Sequence, residues 1–146
     1  MLGRKFREYE REPGVILVDT SVWIDFFDYP DSRHAQELKN LINKDEELCL
    51  VDLNVTEILQ GINDERIFND VKTCLMQFPV LRARGLATYI FAANLYRACR
   101  KKGKTVSKTI DMIIAAIAIE NQVAVFHKDK DFDLIASCTK LKIFNF

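Results

Sequence analysis

Three apolar runs limit what this chain can become. They are VILV at residues 15–18, LCLV at 48–51 and VAVF at 123–126. None alternates with polar residues, and each is too short for a helix. The first has the pattern of a buried strand, and the other two read as strands, the type of the second left open. The stretches between them carry apolar residues at helical spacing. Ala35, Leu38, Leu41 and Ile42 mark one helix, which Ser32 is placed to cap. Val55, Ile58 and Leu59 mark a second, begun by Asp52 or Asn54 and ended by Gly61. Residues 65–76, 86–99 and 110–119 repeat the pattern, with starts expected at Ser107 or Thr109 for the last and a stop near Gly103 for the middle one. A further helix is expected at 131–137, and short strands at 78–81 and 141–144. Strands that alternate with helices predict a three-layer α/β domain, a central and mostly parallel sheet flanked by helices. At 146 residues, 49% of them hydrophobic, the chain suits one such domain over residues 15–146.

Residues 1–14 read as a polar N-terminal arm without an apolar signal core. No stretch approaches a membrane span. A cytoplasmic protein is therefore expected. In that compartment the scattered cysteines Cys49, Cys74, Cys99 and Cys138 read as buried or incidental thiols. No Cys/His spacing suggests zinc.

Carboxylates stand where the apolar elements end. Asp19 closes the first run. Glu57 lies within VTEILQG, Asp111 opens the greasy segment DMIIAAIAIE, and Asp129 and Asp131 follow VAVF. Each has an ordinary local role open to it, as a helix cap, a first-turn acid or an exposed helical residue. Gathered at one sheet edge they would repel one another and need a compensating charge. A hard divalent cation supplies that charge through oxygen ligands.

The formal charge of zero conceals a division. Residues 71–110 hold nine Lys or Arg and no acid. The densest part is Arg97, Arg100, Lys101, Lys102, Lys104 and Lys108. A helix end would favour such residues. Placed beside an acidic metal pocket, they would face nucleic-acid phosphate.

The strings VDTSVWIDFF (18–27), TEILQG (56–61), DMIIAAIA (111–118) and HKDKDFDLIA (127–136) together resemble the PIN-domain ribonucleases, and more narrowly the VapC toxins of toxin–antitoxin pairs. The resemblance implies an endoribonuclease dependent on Mg²⁺ or Mn²⁺. It implies Asp19, Glu57, Asp111 and Asp129 as the metal-binding catalytic acids. Asp131 is implied as support or a further ligand, and Ser21 as the hydroxyl that orients the first acid. It also implies an RNA substrate, a cognate antitoxin and a homodimer. Where the family carries Thr or Ser before the last acidic loop, His127 stands here; a loop hydrogen bond or a substrate role is open to it. His34 reads as a surface residue. Trp23, Ile24, Phe26, Phe27 and Tyr29 form an aromatic cluster near the first acid, suited to core packing or to an antitoxin or dimer groove.

Other classes remain open at this level. They include a PIN-type nuclease of RNA processing or DNA repair, and a non-catalytic nucleic-acid-binding module. A phosphatase using Asp19 as nucleophile would need a second Asp where Ser21 stands. A receiver domain would need an early acidic pair that is missing.

Overall fold

The computed structural model describes residues 14–146. The expected arm therefore lies outside the described residues, apart from Gly14. Strands and helices alternate in the order β1 (Ile16–Val18), α1 (Thr20–Asp28), α2 (Arg33–Asn43), β2 (Leu48–Val51), α3 (Asp52–Leu59), α4 (Glu65–Leu75), β3 (Val80–Leu81), α5 (Leu86–Lys101), α6 (Thr109–Asn121), β4 (Ala124–Phe126), α7 (Lys130–Cys138) and β5 (Lys142–Ile143). The sheet order is β3-β2-β1-β4-β5, and every pairing is parallel. The α/β reading holds, with a sheet more uniformly parallel than expected.

Alternate strand residues point to opposite faces, and this divides the core in two. Leu17, Cys49, Val51 and Val125 pack with Leu95, Met112, Phe132 and Ile135 of α5, α6 and α7. Ile16, Val18, Leu48, Leu50 and Phe126 pack with Val22, Trp23, Leu38, Ile58 and Leu75 of the earlier helices. Helix α6 is apolar nearly all round because it is enclosed: Ile114, Ala115, Ala116 and Ala118 have no exposed surface. Trp23 is fully buried against Phe26, Phe27 and Phe78, whereas Ile24 and Tyr29 of the same cluster are exposed.

Ser32 caps α2, accepting the Ala35 N–H at 3.0 Å, and Gly103 follows α5 at φ 75°, a conformation that suits glycine. One expected cap is corrected. Val51 occupies the cap position of α3, and Asn54 lies inside the first turn, where its Oδ1 accepts the Val51 N–H. Helix α6 begins at Thr109, one of its two expected starts, with Lys108 at the cap; the Ser107 hydroxyl is donated to Asp131 at 2.9 Å. His34 is also less exposed than expected. The C-terminal residues fold back over α2, and its ring lies 5.1 Å from that of Phe146 and 6.0 Å from that of Phe126. Burial lowers its pKa.

The expectation of four thiols is corrected as well. Cys99 and Cys138 form a disulfide, Cα to Cα 5.5 Å, because the ends of α5 and α7 pack together. Cys49 and Cys74 are free, and burial pushes the Cys49 thiol up to about 12. Titration of denatured protein should therefore find two thiols before reduction and four after. Four before reduction would contradict the pairing. Among the described residues, no helix is long and apolar enough to cross a membrane.

Candidate metal centre

In the sheet the chain runs outward from β1 through β2 to β3, then crosses back to β4 on the other side of β1, so the strand order reverses there. A crevice opens at the C-terminal ends of strands where such an order reverses. Asp19 follows β1 directly, and its N–H donates to the Phe126 carbonyl at the end of β4, at 2.9 Å. Asp129 follows β4 and caps α7, accepting the Asp131 N–H at 3.0 Å. Asp111 enters from the first turn of α6, and Glu57 from α3.

Asp19 is buried and held on both oxygens. The Ser21 hydroxyl and N–H donate to Oδ2 at 2.7 and 3.1 Å, and Asn54 Nδ2 approaches Oδ1 at 3.4 Å. Asn54 also donates to Thr20 Oγ1 at 3.0 Å, and the Thr20 hydroxyl donates to Glu57 Oε1 at 3.0 Å. One fully buried amide thus ties the β2–α3 junction to both acids. Burial raises the pKa of Asp19 and of Glu57, with Asp19 adding to the effect on Glu57. Reading the sequence for charge passed over Asn54 and Thr20. The available signal was an amide three positions before Glu57, set between Leu53 and Val55. Asn54→Ala strands the buried Val51 N–H and the Asp19–Thr20 contacts. A loss of about 2–3 kcal/mol is expected in urea denaturation; a change under about 0.5 kcal/mol would contradict this account.

The acids beyond β4 lie closer together. Asp111, Asp129 and Asp131 each bring a carboxylate oxygen within 4.8 Å of the others. Asp131 is thus a full member of this group. Asp111 is 5% exposed, and its Oδ2 is buried with no hydrogen-bond partner. Burial, then the charges of Asp129 and Asp19, push its carboxyl up to about 7. Burial acts upward on Asp129 too, but the Asp131 N–H and the Lys108 ammonium outweigh it and hold Asp129 low. Lys108 donates to Asp129 Oδ2 at 3.1 Å and is raised in turn.

This donor set fits a hard divalent cation. It is all oxygen and carries excess negative charge, and it leaves one buried carboxylate oxygen unpartnered. Asp111, Asp129 and Asp131 are the residues brought together. Asp19 shares their field, and Glu57 joins through the Asn54–Thr20 bridge.

The residues of the basic cluster have different partners. Only Lys108 reaches the acids. Lys102 donates to the Cys138 carbonyl and Lys104 to the Ser137 hydroxyl, both at the end of α7. Arg97 and Arg100 line a cavity of about 430 Å³ between α5 and α6, with Tyr89, Tyr96 and Met112. Lys101 is exposed near the end of α5.

A parallel sheet with acids converging at its switch point defines a class. Residues 16–137 match the PIN domain family model, and the chain belongs to the PIN-domain family. Within it, the chain belongs with the VapC ribonucleases. Ribonuclease VapC11 of Mycobacterium tuberculosis is 32% identical over 133 residues, which cover 90% of this chain and 99% of that one. Solved structures share the fold. VapBC2 from Rickettsia felis, bound to a DNA fragment from its promoter, has a TM-score of 0.71 at 12% identity, covering 90% of this chain and 98% of that one. A toxin–antitoxin complex from Klebsiella pneumoniae has a TM-score of 0.57 at 22% identity, covering 80% and 89%. Family and acidic cluster together make this chain a metal-dependent nuclease.

Proposed function

We propose that this chain is the endoribonuclease toxin of a toxin–antitoxin pair and hydrolyses RNA phosphodiester bonds with Mg²⁺ or Mn²⁺. One observation carries the reading: Asp111 is buried, with an unpartnered oxygen, against two further carboxylates. Asp111, Asp129 and Asp131 would hold the cation, with Asp19 held ready beside them by Ser21. A bound cation supplies Lewis acidity toward the scissile phosphate and acidifies water. Glu57, raised by burial, stands to accept a proton from attacking water. Lys108 neutralises Asp129 and offers positive charge to the approaching backbone. Arg97, Arg100 and Lys101 supply contacts to phosphate that do not read sequence.

The names of the relatives support an RNA substrate and a partner antitoxin. Ile24, 38% exposed on the helix that follows Asp19, and Tyr29, 63% exposed at its C-terminal end, offer that antitoxin apolar contact. A homodimer is part of the same reading.

The test is cleavage of a structured RNA by antitoxin-free protein. EDTA should stop it, and Mg²⁺ or Mn²⁺ should restore it. Asp19→Asn and Asp129→Asn should each abolish it. Cleavage that survives EDTA and both substitutions would overturn the proposal.

A further inference from the structure

We propose that His127 is a positioning residue of the metal centre: its imidazole fixes the backbone at Asp129 and thereby sets where that carboxylate stands. The inference rests on the reading of Asp129 as a metal ligand.

The geometry commits both ring nitrogens. The Asp129 N–H donates to His127 Nδ1 at 3.0 Å, so Nδ1 must present its lone pair. The proton therefore sits on Nε2, which donates to Asp133 Oδ1 at 3.1 Å. The His127 side chain is 5% exposed, and its ring lies 5.3 Å from that of Phe132. A general acid, a substrate contact or a metal ligand needs a free nitrogen, and His127 has none. The ring instead clasps the β4–α7 junction, bonding to residues two and six positions onward.

The next residue fixes the same junction from the other side. Lys128 N–H donates to Ser21 Oγ at 3.0 Å, and that hydroxyl donates to Asp19 Oδ2. Lys128 Nζ pairs with the buried Asp25 at 3.0 Å. Three successive residues thus set one acid against another. His127 orients the main chain at Asp129, Lys128 ties the loop to the Asp19 cradle, and Asp129 presents its carboxylate to Asp111 and Lys108. Groups standing behind a metal ligand in this way typically change affinity by roughly 10- to 100-fold when removed.

The test uses chemistry that separates the two nitrogens. In His127→Asn the side-chain oxygen takes the place of Nδ1 and can still accept the Asp129 N–H. In His127→Gln the amide takes the place of Nε2 and cannot. Mn²⁺ affinity is read from the electron spin resonance of free Mn²⁺, and RNA cleavage gives kcat and KM. His127→Ala and His127→Gln should bind Mn²⁺ about tenfold or more weaker, with kcat reduced and KM little changed. His127→Asn should recover most of the affinity.

Equal impairment of the Asn and Gln variants, or full Mn²⁺ affinity in His127→Ala, would overturn the inference. Should the alanine variant fail to fold, the Asn–Gln comparison decides. Asp129→Asn is measured in parallel. If it loses Mn²⁺ while His127→Ala retains it, only the role of His127 falls. If it retains Mn²⁺, the reading of Asp129 as a ligand falls, and this inference with it.

Discussion

Asp111→Asn is expected to abolish cleavage and, at the same time, to make the metal-free protein more stable. The two effects share one cause. Asp111 is 5% exposed, its Oδ2 has no partner, and burial with the neighbouring charges pushes its carboxyl up to about 7. The folded state therefore holds a proton that the unfolded chain would release near pH 4. For an acid raised in this way, stability is greatest at low pH. It falls as the pH climbs from about 4 to about 7, where the folded carboxyl ionises. Above that, the buried anion remains as a constant burden. Asparagine keeps the shape and cannot ionise.

In urea denaturation with EDTA, the variant should therefore gain on the wild type as pH rises, by about 1–3 kcal/mol at pH 8. Little difference is expected at pH 4. Cleavage should fall by about 10²- to 10³-fold or more, since the best-placed charge for a cation is gone. Excess Mn²⁺ should raise the melting temperature of the wild type and leave that of the variant unmoved. Equal stability of the two proteins at pH 8 would mean that Asp111 carries no strained charge.

The second large effect is the pH dependence of cation binding. Below about pH 7 a cation must displace the Asp111 proton, so affinity should drop about tenfold for each unit of acidification. Between pH 7 and 8 it should be nearly flat. Asp19 and Glu57, both raised by burial, would steepen the fall at lower pH. Asp129, held low by the Asp131 N–H and Lys108 against the upward pull of burial, should contribute nothing near neutrality. Mn²⁺ titrations at pH 6 and pH 8 should therefore differ about tenfold, with proton release on binding at pH 6. Equal affinities would place the cation away from Asp111.

Much of this is legible in the sequence. Local spacing found the three long-run strands, because a segment buried on both faces has no room for polar residues. It found α6 for the same reason. It also marked Asp19, Asp111 and Asp129 as carboxylates at the ends of apolar elements, and Glu57 as one inside an apolar helix. The ordered motifs then supplied the family.

Pairings across distance were not legible. The helix that presents Asp129 also turns Asp131 toward Asp111, which no spacing within KDKDF reveals. Six basic residues read as one cluster, yet Lys102 and Lys104 are engaged by the end of α7, and Lys108 alone meets the acids. Cys99 and Cys138, 39 residues apart, meet only because α5 and α7 end side by side.

By itself, then, the sequence determined which segments are buried, which residues carry charge at their ends, and the family they belong to. Periodicity and side-chain chemistry act within a few residues, so these are readable in order along the chain. Only the tertiary structure decided which charges face one another and which are neutralised, and so which carboxylate is left wanting a cation. Those outcomes depend on distances between elements, and packing, not spacing along the chain, sets them.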